Sequence, residues 1–173
     1  MINTDYPVEA LGILLDEDCL LERYYPLVAY KEKLIRGLKN LGCASKSDVS
    51  RVSDDELLNI GLPDLPSVGL FRRFLCLYDP KPQKFREIAK LVADSSETGS
   101  FTELCHLPGV KYTRAALYRL AGYTSLKTIA EASEDELLVK TSSVIAENGL
   151  TCAAPLPKEV RTHIAVAKAF TKT

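Results

Sequence analysis

FTELCHLPGVKYTRAALYRLAGYTSLKTIAEASEDELL, residues 101–138, carries the densest set of structural signals in the chain. Ser100 and Glu103 form a Ser-x-x-Glu capping box that predicts a short helix with Leu104 and Leu107 on one face. Pro108-Gly109 breaks that helix, because proline removes a backbone donor and glycine takes positive φ without strain. A second helix follows at once, with Ala115, Ala116, Leu117, Leu120 and Ala121 on its apolar side. Small alanines there let a neighbouring helix approach closely. Gly122 ends that helix, a short one follows, and Ser133 with Glu136 caps the next.

The second half of this stretch has a counterpart upstream. Leu38–Leu58 lies over Tyr118–Leu138 at a constant offset of eighty residues with no gap. Gly42 meets Gly122, Ser45 meets Ser125, and the box Ser53/Glu56 meets Ser133/Glu136. Leu57 with Leu58, and Leu137 with Leu138, then point into a core. The pattern is one supersecondary unit used twice, and the copies are expected to pack together or each on the intervening helices.

Outward from the two copies the signals stay helical. Thr4 or Asp5 can cap a helix with Val8, Leu11, Leu14 and Leu15 on one face. Asp16-Glu17-Asp18 predicts the start of another short helix, and Pro26 separates it from a longer one over 27–41, ended by Gly42. Ile60–Leu75 reads as a degenerate hairpin with Gly61 and Leu62 in the turn, Pro66 or Ser67 starting a helix, and Arg72 and Arg73 just after that start. Gln83–Ala93 is a further predicted helix, and Asp94–Gly99 a polar loop at the boundary between halves. Pro157 opens a final amphipathic helix bearing Val160, Ile164, Val166 and Phe170. The expected architecture is all-α, a compact bundle of short helices. Its parts are an N-terminal helical extension (1–30), a first unit with the degenerate hairpin (31–94), a second unit (100–150), and a loop with the C-terminal helix (151–173).

The positions Leu104, Leu107, Gly109, Val110 and Ala115 resemble the hairpin of the helix-hairpin-helix family, whose pattern is an apolar residue, a Gly-apolar-Gly turn and an early alanine. Lys111 stands where the second glycine is expected. The likeness covers Leu34–Leu75 and Phe101–Leu138, and is similar to tandem units in uncharacterised bacterial proteins and to hairpin domains of DNA repair and recombination proteins. The resemblance implies that turn amides and the start of the second helix hold a nucleic-acid phosphate without reading sequence, as a helix N-terminus is suited to do. The residues it designates are Gly109, Val110, Lys111, Thr113 and Arg114, with Arg72 and Arg73 at the weaker first hairpin, where Asp64 repels phosphate.

Charge neither forces nor forbids that reading. The net charge of −1 lacks the basic excess usual in nucleic-acid binders, yet residues 104–127 contain four bases and no acid. The 46% apolar and 26% charged fractions are those of an ordinary globular chain, and no apolar run has membrane length, so a cytoplasmic protein is expected. Five widely spaced cysteines signal neither a disulfide framework nor zinc. Cys105-His106 suggests a nucleophile pair, but neighbours on a helix point about 100° apart, and a packed cysteine beside an exposed or turn-capping histidine is the better reading. No catalytic residue, metal or cofactor is expected. The leading expectation is non-enzymatic binding of a DNA or RNA backbone. The alternative is a protein-interaction or scaffold module, with the hairpins as helix corners and the basic hairpin or C-terminal helix docking on a partner.

Overall fold

The computed structural model describes residues 5–79 and 102–172, and these fall into two compact units, one from each segment. Both are helical; among the described residues the only extended pairing is a single antiparallel bridge between Pro7 and Ser45. The predicted helix over Gln83–Ala93, the loop Asp94–Gly99 and the capping residue Ser100 lie outside the described residues. No helix among them is long and apolar enough to cross a membrane.

The N-terminal unit contains α1 (Val8–Leu14), a 3-10 helix (Glu22–Tyr30), α2 (Lys31–Asn40), α3 (Lys46–Arg51), α4 (Asp54–Ile60) and α5 (Leu65–Cys76). The apolar face read for α1 is buried, and α1 rests on α2 and α3. Phe74 of α5 lies at the centre of an aromatic cluster, 5.9 Å from Phe71, 5.4 Å from Tyr78 and 6.4 Å from Tyr24.

Three local expectations are corrected here. Asp16-Glu17-Asp18 makes a single turn rather than a helix, its Asp16 carboxylate accepting the Asp18 amide. That short-range bond offers the backbone an alternative to a helix. The segment 27–41 is divided, with Pro26 inside the 3-10 helix and the α-helix beginning at Lys31; Leu41 is exposed. Asp5 does not cap α1, which starts behind Pro7 with no side-chain cap. Its carboxylate accepts the Ser47 amide in the first turn of α3.

The C-terminal unit contains a helical turn at 102–104, α6 (Tyr112–Leu120), α7 (Leu126–Glu131), α8 (Glu134–Glu147) and α9 (Pro157–Thr171). α9 packs on α7 and α8, and α8 on α6.

Local geometry at the offset of eighty agrees closely. Gly42 has φ 81° and Gly122 φ 94°. In each, the amide three residues past the helix reaches back to the corresponding carbonyl, Cys43 to Leu38 at 3.0 Å and Tyr123 to Tyr118 at 2.9 Å. Ser45 and Ser125 then cap α3 and α7, and Ser53 and Ser133 cap α4 and α8. Leu57 and Leu137 are fully buried, while Leu58 and Leu138 are half-buried. The agreement stops where Gly61 (φ 144°) meets Thr141: glycine ends α4, whereas Thr141 bonds back to the Leu137 carbonyl and α8 continues to Glu147. The second capping box is incomplete. Glu136 turns to Lys140 one turn ahead, so Ser133 caps without the reciprocal bond.

Candidate functional site

The hairpin in the C-terminal unit is built on buried apolar anchors: Leu104, Leu107, Val110 and Ala115 are all inside. Its first arm winds tightly, with Cys105, His106 and Leu107 amides each bonded three residues back. Gly109 at φ 73° reverses the chain, and the Val110 amide closes the turn on the Leu107 carbonyl at 3.0 Å. Lys111 is the N-cap of α6 at φ −105°, ψ 177°, an ordinary extended conformation. This explains why lysine fits where the family pattern has glycine: the position asks for no positive φ. Lys111 is exposed, and the start of α6 has no side-chain cap. Such a terminus presents the positive end of the helix dipole.

The residues designated from sequence divide on inspection. Gly109 and Lys111 are exposed at the turn, and Thr113 is half-buried in the first turn of α6. Val110 is a core residue whose amide the turn itself consumes. The Arg114 guanidinium is half-buried, donating to the Ala153 carbonyl at 2.9 Å and lying 3.7 Å from Glu159. It ties α6 to the loop ahead of α9 and to the first turn of α9.

The first hairpin differs more. α5 starts at Leu65 behind Asp64, whose carboxylate accepts the Ser67 amide at 2.8 Å and is held below the usual range by its bonds to Ser67. Pro66 and Ser67 are inside the helix. Arg72 and Arg73 accordingly sit about two turns into α5, not at its start. Arg72 bonds Asp54 and the Val52 carbonyl (2.9 and 2.8 Å), joining α5 to the start of α4, and Arg73 is exposed. Asp64→Ala should lower the midpoint of urea denaturation, as loss of a helix cap does.

Sequence reasoning missed how α9 seals the back of the second hairpin. Glu159, His163 and Phe170, spaced for one helix face, meet Arg114, Pro108 with Tyr118, and His106 respectively. His163 Nε2 lies 2.9 Å from the Pro108 carbonyl, which can only accept, so Nε2 carries the proton. Nδ1 then accepts from the Tyr118 hydroxyl at 2.7 Å. His163 is 4% exposed, and burial pushes its pKa down to about 4. The Glu103 carboxylate, read as half of a capping box with Ser100, accepts the Leu126 amide at 2.9 Å and fixes the first arm to α7. The C-terminal helix, one of the two docking surfaces of the alternative reading, buries Val160, Ile164, Val166 and Ala167 within its own unit.

His106 Nδ1 bonds its own turn at the Glu103 carbonyl, and burial pushes the Cys105 thiol up to about 11, away from a reactive thiolate. A groove of about 380 Å³ opens elsewhere, along α1 and α2, floored by Gly12 and Ile35. Two of its rim lysines, Lys31 and Lys39, are paired with Asp16 and Glu9, so size alone does not make it a site. The chain matches no protein-family model, no curated protein and no solved structure.

Proposed function

We propose that the chain binds the sugar-phosphate backbone of a nucleic acid, DNA in the first instance, through the turn Gly109–Lys111 and the start of α6. The observation that carries this reading is the contrast between the two hairpins. The start of α5 is closed by the Asp64 carboxylate, whereas the start of α6 is uncapped, lies behind an exposed glycine turn and bears the exposed Lys111. Charge supports it: residues 102–172 hold nine bases against seven acids, and residues 5–79 nine against thirteen. Thr113 is the further polar contact, and Arg114 acts as a positioning residue. The resemblance to the helix-hairpin-helix family points the same way. The rival reading as a protein-interaction module loses one of its named surfaces, because the apolar face of α9 is used internally.

Titration into fluorescent duplex and single-stranded DNA at low and moderate salt tests the proposal. Binding should weaken as salt rises and be indifferent to sequence. Lys111→Ala should weaken it uniformly and reduce the log–log salt slope by about 1, the signature of one lost phosphate contact. No binding at low salt, or an unchanged slope in the variant, overturns the assignment.

A further inference from the structure

Behind the turn lies a buried polar relay that phosphate contact does not itself use: the Tyr118 hydroxyl, the imidazole of His163 and the Pro108 carbonyl. We propose that neutral His163 is a latch that positions the Pro108–Gly109 turn, and that protonating or removing it releases the turn while the helices stay in place.

The placement of the bonds argues for it. Pro108 has a fixed φ, and Gly109 after it is the residue with the greatest backbone freedom in the hairpin. A bond to the Pro108 carbonyl therefore holds the rigid side of the pivot, and the turn's own closing bond, Val110 to Leu107, spans the other. Tyr118 is fully buried in α6, so the relay refers the turn to α6 and α9 together.

The chemistry makes the latch sensitive to a proton. An imidazolium donates from both nitrogens and accepts at neither, so the Tyr118 hydroxyl loses its acceptor. A buried charge also has to reach water or a counter-charge. Around His163 stand Tyr118 and Arg114 from α6, Glu159 from α9 and the Pro108 carbonyl from the turn. The Pro108 bond and Glu159 favour the proton, burial and Arg114 oppose it, and burial is the largest influence. Glu159 is already engaged by Arg114 and by the Leu156 amide. The Arg161–Glu134 pair starts two residues away, about 200° around α9, and does not face the ring. A charged His163 thus has a reason to leave its seat, and the turn loses its hold.

The consequence for DNA binding rests on the function proposed above; the latch itself does not. The test is residue-resolved amide exchange in the full chain for wild type, His163→Leu and His163→Gln. Glutamine keeps a donor for Pro108 and does not titrate. In His163→Leu at neutral pH, the Val110 amide should exchange about tenfold faster, with Val166 and Ala167 in α9 nearly unchanged. His163→Gln should restore wild-type protection. Acidification toward pH 4.5 should strip protection from the turn in wild type and not in His163→Gln. Equal acceleration of turn and α9 in the leucine variant, failure of glutamine to rescue, or the same acid response in wild type and glutamine overturns the latch. Fluorescent DNA at neutral pH separates the two ideas: a wild type that binds nothing defeats the binding proposal alone, and the exchange data still decide the latch.

Discussion

Gly37→Ala will destabilise the N-terminal unit by about 3 kcal/mol, although the same change in an exposed helix interior stabilises by about 1 kcal/mol. A Cβ on Gly37 of α2 would stand 2.5 Å from the Ile60 Cβ of α4, with Ile60 Cγ2 at 3.1 Å and Cγ1 at 3.3 Å. Carbon atoms in contact prefer about 3.5–4.0 Å. Rotation of Ile60 gives no relief, because the closest atom is its Cβ, fixed to the backbone of α4. The helices must separate by roughly 1 Å, and the interior behind them, which includes Leu34, Leu38 and Leu57, loses its fit. Gly69→Ala in α5 is the matched control: the same substitution in a helix, with nothing within 4 Å of the new atom. Urea denaturation followed by circular dichroism should move the two midpoints in opposite directions. A neutral or stabilising Gly37→Ala would show that α2 and α4 do not meet at this distance.

That pair of glycines shows where reading a sequence stops. Both occur within helical patterns and look equally costly, since helix propensity depends on the local chain while the Ile60 contact joins segments far apart in sequence. Features set by neighbours three to five residues away were legible. The stops at Gly42 and Gly122, the box at Ser53 and Glu56, the apolar face of α1 and the buried anchors of the Gly109 hairpin all follow from local rules. Misreadings arose where a short-range alternative or a distant partner won. Asp16 bonds its own turn, Glu136 pairs forward with Lys140, and Asp5 is engaged by the distant Ser47 amide.

At the candidate site the same division holds. Position 111 reads from the family pattern as a missing glycine, yet its backbone is extended and the lysine stands exposed at the mouth of α6. Arg114, three residues further on, has the right charge and sits in the first turn, and it also makes an internal contact. The only cue to that use is Glu159, forty-five residues away, at a spacing that matters solely once α9 lies against the hairpin. His163 carried the weakest cue of all, a polar residue between Glu159 and Phe170 on one face of α9.

Acid will expose that residue globally as well as locally. As pH falls from about 6.5 to about 4, the C-terminal unit should lose about 2–3 kcal/mol, and His163→Gln should remove that part of the profile. The folded-state pKa of His163 lies near 4, below the ordinary value of 6.5, because its ring is buried. Between these values the unfolded chain holds a proton that the folded chain refuses, so stability is greatest above 6.5 and drains as pH falls toward 4. A separation of about 2.5 units at 1.36 kcal/mol each sets a ceiling of about 3 kcal/mol. The surface carboxylates Asp48, Glu56, Asp64 and Glu136 act in a lower window. Hydrogen bonds hold their pKa values down, so what they contribute is lost as pH falls below about 4. Urea midpoints at a series of pH values should therefore show a shallow fall above 4 in wild type, a flat stretch in His163→Gln, and a common steep fall below. Parallel profiles through the upper window would mean that His163 titrates in the folded protein as it does in the unfolded chain. The size of the fall also measures the latch. With the ring kept in its seat the full ceiling is reached, whereas release of the Pro108–Gly109 turn lets the folded protein take up the proton and recovers part of it. A shortfall from the ceiling should therefore appear at the pH where the Val110 amide begins to exchange.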